Sequence, residues 1–156
     1  MKYVTTSYRM SQYIIGKYYE IFNKDISPIK LQKALYLSFA YYGSIIAKDN
    51  NYQVNEYLFD DKFYAWVYGP VIPSIVEQYN NKFIKGNINI EELNNYNVKK
   101  IIDPLLEELF NIGDIKLVSL VHEDKVWKDN FDEKNPKANK IINRKNIIDE
   151  YVLKVI

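Results

Sequence analysis

Residues 27–47 constrain the fold more than any other stretch of the chain. Ser27-Pro28 sets a hydroxyl N-cap ahead of a proline at the first helical position, where the missing N–H has no partner to lose. Leu31, Ala34, Leu35, Ser38, Phe39 and Tyr42 then fall on one face, with Tyr36, Leu37 and Ile45 beside them. A helix that is apolar round more than half its girth has to be covered on several sides. The spacing therefore predicts a central helix over about residues 28–47, against which the other elements are laid.

A second stretch, LFDDKFYAWVYGPVIPSIVEQY from Leu58 to Tyr79, supplies what is not helical. Phe63, Ala65 and Val67 alternate with Tyr64, Trp66 and Tyr68, a β-branched and aromatic pattern that suits a short strand. Glycine and proline together predict a turn at Gly69-Pro70, and Pro73 is placed to open a helix running to about Phe83. On that helix Ile75, Val76, Tyr79 and Phe83 share a face. A strand of this length needs a partner strand or a helical bed. Trp66, with its flanking aromatics, is the expected wedge into the core.

The remaining segments extend a helical pattern. Ile14, Tyr18, Ile21 and Phe22 form an apolar stripe within residues 7–24, and Asn23 to Ile26 ends it. Residues 48–53 are a polar stop; residues 80–97 read as a loop with one short helix near Ile90 to Leu93. Val98 to Ile112 is periodic again, and Pro104 leaves two options, a kinked helix or a fresh helix capped by Asp103. Gly113 is expected to stop this helix and Asp114 to cap a short one from Ile115 to about Val121. Lys137, Lys140, Arg144 and Lys145, interleaved with Ile141 and Ile142, suggest a helix with one solvated basic face. A last helix would dock through Ile147, Ile148, Tyr151 and Val152. The expected fold is mainly α: a compact single-domain helical bundle, residues 1–156, around a central apolar helix at about 28–47, with a short strand/turn insertion near 58–72.

Composition narrows the function. Of 156 residues, 47% are hydrophobic and 26% charged, the balance of a globular protein and not of a disordered one. No apolar run approaches the roughly 20 residues that span a bilayer, and the N-terminus lacks the apolar core of a signal peptide, so residence in the cytoplasm is the expectation. The absence of cysteine rules out thiolate metal sites and cysteine nucleophiles, and one histidine leaves only carboxylates to build a metal site. Five scattered glycines build no phosphate-cradling loop. Asp60-Asp61 and Glu123-Asp124 are adjacent acids expected to be solvated. His122 has Ser119 near it but no orienting third group, and its expected role is to bond a backbone carbonyl while its ring packs near Trp127. No catalytic residue, metal or cofactor is expected, and the chain reads as a non-enzyme. A formal charge of +1 exerts no global pull on nucleic acid, which leaves the basic segment as the one candidate contact for it. The 15 tyrosines fit either an AT-rich codon bias or an exposed protein-binding surface.

Three stretches in order resemble the Panacea antitoxin domain family, which includes SocA-like and phage-associated GepA-like proteins. KLQKALYLSFAYYG, Lys30 to Gly43, is similar to the family's KLQKLLYFAQ helix. The Leu58 to Tyr79 stretch is similar to its LF, EAW-like and YGPV-P-V pattern. SLVHEDKVWKDNF, Ser119 to Phe131, is similar to its L-TH-E-PW element. Two positions depart from the pattern, Val121 in place of threonine and Tyr64 in place of an acid. The resemblance implies a small, mostly helical, non-enzymatic bacterial or phage protein that neutralises a toxin by binding it. On the same scaffold, an anti-CRISPR-like inhibitor of a host defence protein is an alternative, and a nucleic-acid-binding module through Lys137, Lys140, Arg144 and Lys145 is another. Partner contacts are expected from Tyr64, Trp66, Tyr68, Gly69, Pro70, Val71 and Tyr79, supported by His122 and Trp127.

Overall fold

Local capping sets where the helices begin, and the computed structural model, which describes residues 1–154, follows those signals closely. A short strand β1 (Lys2–Tyr3) leads to α1 (Ser7–Phe22), whose N-cap Thr6 accepts the Arg9 amide and whose C-cap Asn23 is left-handed at φ 55°. Ser27 Oγ accepts the Lys30 amide at 3.1 Å and opens α2 (Pro28–Asp49), as its sequence predicts. Strand β2 (Glu56–Tyr57), the hairpin β3 (Phe63–Trp66) and β4 (Gly69–Val71), and α3 (Pro73–Asn80) follow. A single 3-10 turn (Glu91–Leu93) precedes α4 (Tyr96–Phe110), α5 (Asp114–His122) and α6 (Lys125–Lys128); β5 (Ile141–Ile142) and α7 (Arg144–Lys154) close the described chain.

Helix α2 is the axis of the bundle. It packs against α1, α3, α4, α5, α7, β2 and β4, and all the apolar positions assigned to its face are buried, with Ile45 half-buried. One aromatic cluster joins it to the strands: Phe39 lies 5.2 Å from Tyr57, 5.3 Å from Phe59 and 5.4 Å from Phe63, centroid to centroid. Tilted and edge-on pairs of this kind each add about 0.5–1.5 kcal/mol beyond the area they bury. The fold is mainly α, as expected. Its strands form a parallel pair β1–β2 and an antiparallel sheet in the order β4–β3–β5.

Several local expectations are corrected by packing. The hairpin turns at Val67-Tyr68, since Trp66 pairs with Gly69 and Ala65 with Pro70. Pro70 is compatible with an edge strand because β4 asks nothing of the missing N–H; Ala65 donates its own amide across the other side of β3, to Lys140 O at 2.9 Å. Phe63, not Trp66, is the wedge: Phe63 and Ala65 face the core while Tyr64 and Trp66 are only half-buried. Helix α3 stops at Asn80 because Lys82 takes a left-handed φ of 62°, so Phe83 leaves the apolar face and is exposed, as is Ile21 near the end of α1. Gly113 occupies the N-cap of α5 in place of Asp114. Helix α4 runs undivided through Pro104; Asp103 cannot cap, because its carboxylate accepts Tyr13 Oη at 2.6 Å and faces Lys17 and Lys99.

Ile141 and Ile142 are not helical. They pair with Tyr64 and Phe63 as β5, and α7 starts only after Asn143. Helix α7 lies along α2, with Ile147, Ile148 and Tyr151 buried. The two helices approach so closely at Gly43 that an added Cβ would sit 2.1 Å from Ile148 Cδ1 and 3.0 Å from its Cγ1. A glycine-to-alanine change inside a helix ordinarily gains up to about 1 kcal/mol. Here overpacking reverses the sign. Gly43→Ala should lower the unfolding free energy by about 1–3 kcal/mol in urea titration, and adding Ile148→Val should return part of it.

Candidate partner-binding site

The β3–β4 hairpin is held from both sides by polar groups in unlikely places. On one side lies α2, where Gln32 Oε1 accepts the Ile72 amide at 2.9 Å and Lys33 Nζ donates to Pro70 O at 3.1 Å. Lys33 is 1% exposed, and burial alone pushes its ammonium down to about 7. Gly69 has to be glycine here: its φ is +109°, and a Cβ would come within 2.6 Å of Val121 Cγ2 and 3.3 Å of Lys33 Nζ.

On the other side stand α5 and α6. His122 Nε2 lies 2.8 Å from Val67 O, and Trp127 Nε1 donates to Trp66 O at 2.8 Å. The His122 ring stacks on Trp127 at 4.1 Å and 18°, and Trp127 on Phe131 at 4.8 Å and 12°. Two consecutive carbonyls at the end of β3 are thus satisfied by one aromatic stack. The expected carbonyl bond of His122 is present, and so is its contact with Trp127.

What this clamp presents outward is the hairpin tip. Val67 is 50% exposed and Tyr68 58%. Beside them Trp66, Val67, Pro136, Lys137 and Asn139 line a concavity of about 570 Å³. The Trp66 indole N–H is spent on Asn139 Oδ1 at 2.8 Å, and Asn139 itself holds a left-handed φ of 57°.

Of the expected contact residues, Tyr64, Trp66, Tyr68, His122 and Trp127 therefore belong to one region. Gly69, Pro70 and Val71 are buried and offer no surface to a partner. Tyr79 is elsewhere, its hydroxyl 2.5 Å from Ile26 O, in a separate cleft with Ile15, Pro28 and Ile84. The basic residues do not gather into one patch. Lys137 borders the Trp66 concavity, and Lys140 lends its carbonyl to Ala65. Arg144 lies 5.0 Å from the Tyr57 ring and donates to Asp60 O at 2.9 Å, while Lys145 pairs with Asp149 at 2.8 Å. Among the described residues no group of three His, Cys, Asp or Glu is placed to hold a metal ion, and no helix is long and apolar enough to cross a membrane.

Residues 31–128 match the family model described as Antitoxin SocA-like, Panacea domain. The chain belongs to the Panacea family. No curated protein and no solved structure matches it. The matched region runs from the first turn of α2 to the end of α6, and so contains both jaws of the clamp and the hairpin between them.

In the Panacea segment and at its borders the motif residues now have physical jobs. In Lys30-Leu31-Gln32-Lys33 the polar members are the ones that tie α2 to its neighbours: Lys30 Nζ donates to Phe110 O at 3.1 Å, and Gln32 and Lys33 hold β4. Asp124, expected to be solvated, is 0% exposed. Its Oδ2 accepts Tyr36 Oη and Tyr151 Oη, each at 2.6 Å, and its Oδ1 accepts Lys154 Nζ. Burial, together with the Asp124 charge, raises both phenols above their ordinary range. Asp60 and Asp61 are also engaged, the latter accepting Ser7 Oγ at 3.0 Å. Sequence reasoning missed Gln32, Lys33 and Asp124. The available signal was charge and amide placed inside the most apolar helix and beside a tryptophan.

Proposed function

We propose that this Panacea protein is an antitoxin-like binding protein that neutralises a protein toxin in the cytoplasm by direct contact and catalyses no reaction. Family membership supports the antitoxin class. The observation that carries the contact surface is the hairpin tip, where Val67 and Tyr68 project from a backbone fixed on both sides by Lys33, His122 and Trp127. A projecting aromatic on a rigid support loses little freedom on binding, and tyrosine and tryptophan are frequent anchors of interfaces.

Co-expression with each adjacent reading frame tests this. One neighbour should be toxic alone and harmless beside the wild-type chain, with the two co-purifying. Tyr68→Ala combined with Val67→Asp should weaken that complex at least tenfold while leaving the unfolding midpoint nearly unchanged, since both side chains are exposed. The absence of any neutralised neighbour removes the antitoxin reading. Full neutralisation by the double variant removes the tip.

A further inference from the structure

The concavity beside the tip has a composition that specifies what enters it. Its walls are the Trp66 ring, the Val67 side chain and the Pro136 ring; its polar members are Lys137 and Asn139. Asn139 Oδ1 and the Trp66 indole N–H already satisfy each other, so the tryptophan offers the groove only its apolar surface. Lys137 is exposed, lies in the groove wall and, like Lys134 and Lys140 of the same segment, makes no ion pair among the described residues; unlike those two it lines the groove itself. The volume, about 570 Å³, exceeds that of any single side chain and fits a large one with its flanking backbone.

We infer that this groove is the specificity pocket of the proposed binding surface, and that it takes a protein segment carrying a large aliphatic or aromatic side chain with an aspartate or glutamate within about two positions. The apolar side chain would fill the space between Trp66, Val67 and Pro136, and the carboxylate would pair with Lys137. The unpaired cation selects the charge. A cationic or neutral polar segment gains nothing there and leaves Lys137 without a counter-ion. A nucleic acid strand could stack a base on Trp66, but with Arg144 and Lys145 held by Asp60, Tyr57 and Asp149 only Lys134 and Lys140 join Lys137 as exposed cations of this segment outside any ion pair among the described residues, and the oligonucleotide arm of the test below decides between the two occupants.

This inference rests on the antitoxin-like reading, and the two are separated by running two assays on the same variants. In the first, random 12-residue peptides displayed on phage are selected against the full wild-type chain. Selected peptides should share an apolar residue flanked by an acid, lose at least tenfold in affinity with Trp66→Ala and at least fivefold with Lys137→Glu. Selection against Lys137→Glu should return basic flanks instead. Lys137 is exposed and outside the core, so this charge reversal keeps the proposal open to test even if Trp66→Ala disturbs the hairpin. Peptides without an acidic preference, peptides indifferent to both variants, or binding of a dT12 oligonucleotide that Lys137→Glu abolishes in the absence of peptide selection would each overturn it. In the second assay the neutralised neighbour is co-expressed with the same variants. Neutralisation by the wild type and Lys137→Glu alike sinks the pocket and spares the antitoxin reading; no neutralisation by the wild type sinks the antitoxin reading whatever the peptides show.

Discussion

Asp124→Ala is expected to lower the unfolding free energy by about 3–5 kcal/mol, the range found when one partner is removed from a buried charged network. The carboxylate is wholly buried at the N-cap of α6 and receives Tyr36 from α2 and Tyr151 and Lys154 from α7. Its removal strands two buried hydroxyls and leaves Lys154 with Glu150, at 3.1 Å, as its one remaining carboxylate among the described residues. Each hydroxyl left without an acceptor costs about 1–3 kcal/mol. Tyr36→Phe and Tyr151→Phe remove a donor and leave the carboxylate with its remaining partners, so each should cost only about 1–2 kcal/mol. Urea unfolding of the three variants checks the order. A loss below 1 kcal/mol for Asp124→Ala would mean that the network does not hold α7 to the bundle.

Lys33 should make stability depend on pH in an unusual direction. Its ordinary value is 10.5 and burial lowers it to about 7, so between these limits the unfolded chain binds a proton that the folded chain does not. Stability then rises with pH across that window, by up to about 1.4 kcal/mol per unit. Below about pH 7 the ammonium is charged in both states and the burial penalty is fully present. Lys33→Met removes the titrating group and keeps its bulk. The stability of wild type minus that of Lys33→Met should therefore climb steadily from pH 7 to 9.5, toward a change of several kcal/mol, while other groups cancel in the difference. A flat difference would show that Lys33 finds a counter-charge or water that keeps its proton.

Much of the architecture could be read from local chemistry. The Ser27-Pro28 start of α2, the helix expected within residues 7–24, the Pro73 start of α3 and the turn near Ile90 depend on neighbours within a few residues, and such signals are carried in the sequence itself. The family resemblance placed the hairpin and the α5–α6 element in one set. What could not be read depends on distant partners. Ile141-Ile142 looked helical because four cations surround it at helical spacing, yet Phe63 and Tyr64 capture it as a strand. Asp124 looked solvated beside Glu123 because nothing local announces Tyr36, which lies 88 residues away. Of the expected contact surface, the aromatic members of the hairpin and of the α5–α6 stack do converge. Pro70 and Val71 turned inward because the turn falls two residues earlier than glycine and proline suggested.

The order in which the ribosome releases these partners adds a consequence. A nascent chain carries α2, the hairpin and the histidine–tryptophan stack before Asn139, Tyr151 and Lys154 emerge. Until then Trp66 lacks its amide mate and Asp124 its closing hydroxyl and ammonium. The Trp66–Asn139 bond and the α7 side of the Asp124 network are thus completed last, and a polypeptide stalled before residue 139 would carry the hairpin tip on an unfinished scaffold.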